Sequence, residues 1–338
     1  MDVHQEFVPS SDLSSSLAID NQTNGNGTTL TLPTEQRRTN ATGPCLNNLN
    51  EDCLLEIFSN KSLTPIDLCS LAETCTRFKQ ITQRVFPKEF GIEYWDDCVG
   101  LGYEFKSKKY YRRDYTLQDV ERILKNFGPY LSTLKIGRDL AVVNLVAQYC
   151  ADNVTLKHLK ISELKSIQGV RVQLNSIFRQ LLKLSIYDCD LVIASSNMDC
   201  DSLIELNIFN SCGCTAILRH TFPNLRRFIW HCSNIYSRRA NDESFYFINF
   251  IERHRHIKAI NLEGVPAYHS ELLQIISSSC KELEELVLRD LSENEFSKIV
   301  KVVERREQDH VLTVKCNYKF NYLDDCDENR KVKLIKLN

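Results

Sequence analysis

From Leu131 onward one six-residue phrase recurs: apolar, two residues, apolar, one residue, apolar. It reads LSTLKI at Leu131, LKHLKI at Leu156, LLKLSI at Leu181, LIELNI at Leu203, LRRFIW at Leu225, IKAINL at Ile257, LEELVL at Leu283 and, more weakly, VLTVKC at Val311. The starts lie 25, 25, 22, 22, 32, 26 and 28 residues apart. Alternation with period two suits a short strand with one buried face. A strand that returns at a near-constant spacing belongs to a unit that cannot bury its face alone. It must stack on copies of itself.

The residues between the phrases often carry a helical pattern. Segments 139–150 (DLAVVNLVAQYC), 242–254 (DESFYFINFIERH), 270–280 (SELLQIISSSC) and 292–306 (SENEFSKIVKVVERR) read as helices, the last opened by a capping box of Ser292 and Glu295. The units spaced 22 residues apart leave room only for a turn or a single-turn helix. Strand plus helix at this period resembles the leucine-rich repeat. The expected architecture is α/β: a right-handed solenoid of about eight repeats over 131–338, with parallel strands on a concave wall and helices outside. The repeat is similar to the cysteine-containing subtype at Cys189, three residues after Ile186. Cys232 and Cys212 depart from that spacing.

Ahead of the repeats, 44–90 is dense in helix-start signals. Asn50 can cap a helix with Glu51 and Asp52 in its first turn, where carboxylates favour the positive end of the dipole. Leu54, Ile57 and Phe58 then form one apolar face. Thr64-Pro65-Ile66-Asp67 is a capping box with proline at N1. Leu68 and Leu71 follow, then Cys75, Phe78 and Ile81. Residues 91–130 read as a connector and cap to the repeats. Within them, Thr116 and Asp119 open a helix striped by Val120, Ile123, Leu124 and Phe127, which Gly128-Pro129 stops.

Residues 46–86 resemble an F-box. Leu49-Asn50 stands where family members have Leu-Pro, "DCLLEIF" covers Asp52–Phe58, and "LTPIDLCSLAETCTRF" covers Leu63–Phe78. The missing proline at Asn50 and Phe78 in place of a common Trp are the departures. The resemblance implies a small three-helix module that docks a Skp adaptor and, through it, a cullin–RING ligase. An F-box followed by leucine-rich repeats implies a substrate receptor for ubiquitination, not an enzyme. The implied adaptor-binding set is Leu49, Leu54, Ile57, Phe58, Leu68, Leu71 and Phe78, divided between the module's own core and the contact. On the concave wall, residues flanking the buried positions would hold the target: Tyr187, Asn207, Phe209, Arg227, Ile229 and His231. Lys135, Lys160 and Lys183 make the early wall basic; Glu263 and Glu285 make the later wall acidic.

Composition sets the remaining expectations. Residues 1–43 are rich in Ser, Thr, Asn and Gly and read as a disordered tail. The start has neither a basic n-region nor an apolar h-region, and no apolar run reaches the roughly 18 residues of a membrane span. The fourteen cysteines therefore read as reduced thiols in a cytoplasmic or nuclear chain. No CxxC pair occurs, so no metal or other cofactor is expected. A net charge of −2 argues against a general nucleic-acid binder. The basic-aromatic run KSKKYYRR (106–113) leaves an RNA-associated reading as an alternative, beside a scaffold that binds the adaptor without delivering substrate. It reads first as a solvated connector. "GLGYEF" (100–105) is a weak phosphate-loop match, His254-Arg255-His256 reads as a helix end favouring the dipole's negative pole, and Cys150 with Asp152 reads as structural.

Overall fold

The computed structural model describes residues 45–95, 98–105, 108–137, 139–164, 175–189, 200–210, 214–231, 240–263, 270–289, 301, 311–316 and 332–336. The tail 1–43, the Ser292–Glu295 capping box, Cys212 and Cys232 lie outside these residues. The chain divides into two compact units, Met1–Asn48 and Leu49–Asn338. In the first, the described residues form one 3-10 turn, Leu46–Asn48.

The second unit is mixed α/β. Its helices are α1 (Glu51–Phe58), α2 (Pro65–Ala72), α3 (Thr76–Val85), α4 (Leu117–Phe127), α5 (Leu140–Tyr149), α6 (Asn175–Phe178), α7 (Ala240–Arg253) and α8 (Ser270–Ser279). Its strands are β1 (Glu89–Trp95), β2 (Cys98–Phe105), β3 (Lys108–Tyr115), β4 (Thr133–Gly137), β5 (His158–Ser162), β6 (Lys183–Tyr187), β7 (Glu205–Phe209), β8 (Arg227–His231), β9 (Ala259–Glu263), β10 (Glu285–Leu288), β11 (Leu312–Cys316) and β12 (Val332–Lys336). They form one twelve-stranded sheet in the order β12-β11-β10-β9-β8-β7-β6-β5-β4-β1-β2-β3.

From β4 to β12 each strand lies parallel to the next in chain order. The register never slips between β4 and β9. The second positions Leu134, Leu159, Leu184, Leu206, Phe228 and Ile260 stand side by side, as do the fourth positions Ile136, Ile161, Ile186, Ile208, Trp230 and Leu262. All twelve are buried. A one-residue slip would turn every one of them to the other face, which is why the pattern holds the register.

The same repetition appears in the backbone. Each turn into a strand gives its N–H groups to a carbonyl one unit back: Lys157 and His158 to Ser132, Leu182 and Lys183 to Lys157, Ile204 and Glu205 to Leu182, Arg226 and Arg227 to Ile204. Three residues before six of the eight phrases a buried side chain closes the turn. These are Asn153, Phe178, Cys200, Phe222, His254 and Cys280. After β5, β6 and β7 the chain enters the left-handed region at Glu163 (φ 55°), Asp188 (φ 49°) and Asn210 (φ 46°). Asp and Asn tolerate it; Glu163 is strained there. Each gives its N–H to the last residue of the next strand, Tyr187, Phe209 and His231 respectively, at 2.7–2.9 Å.

Two expectations need correction. Residues 91–115 are not a connector: β1 pairs parallel with β4, and β2 and β3 continue the sheet antiparallel. "GLGYEF" is thus strand and not a phosphate loop, and 108–113 lies on the outermost strand. Gly91 sits opposite Gly102, where an added Cβ would stand 3.2 Å from the Gly102 carbonyl oxygen. Glycine in these strands marks close backbone approach, which also obscures their pattern. At the other end, β12 follows the eight strands that the phrases mark. Its sequence VKLIK places Lys336 level with Cys316, where the phrase is apolar, so the period does not reveal it.

Candidate functional site

The helical module is built as its caps require. Asn50 Oδ1 accepts from the Cys53 N–H at 2.8 Å. Thr64 and Asp67 close a reciprocal capping box, with Pro65 at N1. Cys75 caps α3 by accepting the Phe78 N–H on its sulfur at 3.4 Å. Arg77 donates to the Leu49 carbonyl at 2.6 Å, and Arg84 pairs with Glu51. Arg122 and Asn126 on α4 bind Glu73 at the end of α2. The hydrogen bonds from Arg122 hold the Glu73 carboxyl below its usual range.

The seven predicted docking residues separate by burial. Leu54, Phe58, Leu68 and Phe78 are core, with Phe58 edge-on to Phe78 at 5.1 Å. They cannot meet a partner without opening the module, so they are the core share of the set. Leu49 and Leu71 are half-buried, and Ile57 is 41% exposed. Successive helical residues turn by about 100°, so Ile57 leaves the stripe that Leu54 and Phe58 bury. Spacing alone placed all three on one face. Leu55, Leu63 and Ile66 are half-buried too, and the sequence reading missed them because they lie off the main stripe.

The second surface is the sheet face opposite the buried positions. Tyr187 and Phe209 stack at 4.4 Å with 4° between their planes. His231 follows, tilted, at 5.8 Å from Phe209. On the other side Lys160 Nζ stands 4.2 Å over the Tyr187 ring. These come from adjacent strands in strict register. His231 Nδ1 lies 3.2 Å from Glu263, which also receives Arg289 at 3.5 Å. Lys183 pairs with Glu205 at 2.8 Å. Burial would raise the Glu205 carboxyl, but hydrogen bonds from Lys183 and Asn207 outweigh it and hold it low. Arg227 reaches past β9, where Ala259 is small, to Glu285 at 3.1 Å. Lys315 approaches Glu285 from β11.

Tyr187, Phe209, Ile229 and His231 are half-exposed and Arg227 is exposed. Asn207 departs from the expectation. It is 3% exposed, and its amide nitrogen donates to Ser185 Oγ at 3.1 Å and Glu205 at 2.8 Å. Flanking side chains longer than Asn and Ser roof the middle of the row, so Asn207 supports the face from below.

Three further groups have structural roles. Burial pushes the Cys69 and Cys150 thiols up to about 12 and Cys189 to about 11. None is a poised nucleophile. No cluster of His, Cys, Asp and Glu that could hold a metal occurs among the described residues. His254 does not serve the helix dipole as a cation. It is fully buried, with Nδ1 2.6 Å from the Phe250 carbonyl and Nε2 accepting the Phe222 N–H at 2.7 Å. Burial lowers its pKa to about 4, so it is neutral. No helix among the described residues is long and apolar enough to cross a membrane.

No protein-family model matches the chain, and no curated protein matches its sequence. The two surfaces therefore rest on their own geometry: an apolar residue standing out from a well-capped helical module, and an aromatic and charged row across a parallel sheet.

Proposed function

We propose that the chain is the substrate-recognition subunit of a Skp–cullin–F-box ubiquitin ligase. Residues 49–86 act as the F-box and dock the Skp adaptor. The parallel strands belong to a leucine-rich-repeat solenoid whose concave wall holds a protein target. The chain itself catalyses nothing; the cullin–RING partners transfer ubiquitin.

The observation that carries this reading is Ile57. It sits 41% exposed on α1, in a module whose other large apolar residues on α1–α3 are buried or half-buried. A helical cap that only closed a repeat stack would have no need of it. Leu49 and Leu71 supply further accessible apolar surface. Burying one such side chain contributes roughly 1.5–3 kcal/mol, so a few suffice for a specific contact once association costs are met.

The test is co-purification of the full chain with a Skp adaptor, beside an Ile57→Asp variant. Retention by the wild type and loss by the folded variant is the expected result. A folded wild type that never retains the adaptor overturns the ligase reading. Target half-life then separates the receptor from a scaffold: it should lengthen when 44–86 is deleted.

A further inference from the structure

Two lysines on the sheet face stand apart from its other charges. Glu205 holds Lys183, Glu285 holds Arg227 and Lys315, and Glu263 holds His231 and Arg289. Lys135 and Lys160 have no carboxylate partner among the described residues. They sit directly opposite one another on β4 and β5, with strands about 4.8 Å apart. Like charges so placed repel, and an anion bound at this part of the face relieves the cost. Lys160 lies against the Tyr187 ring, which stacks on Phe209. In the row of Tyr187 and Phe209 the residues on β5 and β4 shrink to Ser162 and Gly137. Gly137 is buried, and Glu93 Cγ stands 3.7 Å from where its Cβ would be. The corner is thus cationic at Lys135 and Lys160, bordered by half-exposed aromatic surface on one side and by Glu93 on the other.

We propose that this corner, formed by Lys135, Lys160, Tyr187 and Phe209, binds an acidic peptide segment that carries an aromatic or large apolar side chain beside its carboxylates. The proposal rests on the reading that this face holds a protein target, and it names the target's chemistry. The carboxylates neutralise the lysine pair while the apolar side chain covers the rings. Because this face is read as holding a protein target, a peptide is favoured over a nucleic acid, and RNA is an outcome of the test.

The test uses the full chain and fluorescence anisotropy. The probe is a fluorescein-labelled peptide with the core Glu-Glu-Phe-Glu-Glu. Companion probes replace its glutamates by lysine, or two of them by phosphoserine, and a uridylate 15-mer stands for RNA. The acidic probe should bind, weaken with salt, and lose about tenfold or more in affinity in Lys135→Glu/Lys160→Glu and in Phe209→Ser. Lys135→Gln/Lys160→Gln should fall between, with melting temperatures confirming folded variants. Tighter binding of the phosphoserine probe assigns the charge to phosphate, and equal binding assigns it to carboxylate. Equal binding of the lysine probe, indifference to the lysine variants, or binding of RNA alone overturns the proposal. Adaptor co-purification is unaffected by those outcomes, so failure here and failure of the ligase reading are distinguishable.

Discussion

At the scale of single residues, two of the turns that precede strands are closed by buried polar side chains, Asn153 and His254. Asn153 is 1% exposed and closes one turn with Thr155: its Nδ2 donates to the carbonyls of Gly128 (2.6 Å) and Leu131 (2.9 Å), and its Oδ1 accepts from the N–H groups of Thr155 and Leu156. Asn153→Leu removes the acceptor for the Thr155 and Leu156 N–H groups and one donor from each of the two carbonyls. A loss of about 3 kcal/mol is expected, read as a lower urea midpoint. His254 occupies the equivalent place a few units on, and its neutrality makes it acid-sensitive. Its folded pKa of about 4 lies below the ordinary 6.5, so the unfolded chain binds the extra proton between those values. The stabilisation is complete above pH ~6.5 and is lost as pH falls toward ~4, by on the order of 3 kcal/mol. Urea midpoints at pH 7.5 and 5 should differ less in His254→Gln than in the wild type; an identical difference would exclude His254 as the source. Neither residue's role was legible in the sequence. Only the turn brings Gly128 and Leu131 to Asn153, or Phe222 to His254.

At the scale of elements, capping signals were the most readable feature. Asn50, Thr64 and Thr116 each start the helix they announce, because a cap needs only residues within one turn of itself. Burial on a helix was less readable, since it depends on what packs against it. Ile57 and Phe58 are neighbours in sequence and opposites in burial. Ile57→Asp should change stability by no more than about 0.5 kcal/mol, whereas Phe58→Ala should cost about 3–5 kcal/mol. Thermal melts of the two variants check this; a strongly destabilised Ile57→Asp would mean that Ile57 is core after all. The edge strand β3 carries Lys108, Lys109, Arg112 and Arg113. Charge on an edge is the usual protection against strand addition, which gives the basic run a structural reading.

At the scale of the whole molecule, one continuous core runs beneath the sheet and includes the buried apolar residues of α1–α4. Each strand from β4 on meets only its two neighbours, so the effect of damage should follow position. Leu206→Ala in β7, flanked on both sides, should lower hydrogen-exchange protection across β6–β8 and spread outward. Val314→Ala in β11 should affect only β10–β12. Equal loss of protection everywhere would show that the sheet opens as one block. The eight phrases and their spacing were enough to place strands β4–β11 and to require that they stack, because period-two alternation and a common repeat length are properties of the chain alone. The helix starts were settled in the same local way. Which apolar residues stay at the surface was decided only by tertiary packing. So were the three strands that continue the sheet past β4, the lysines of β4 and β5 that have no carboxylate partner among the described residues, and the burial of Asn207 and His254. Each of these depends on groups that lie far apart in the chain and meet only when the strands are laid in register.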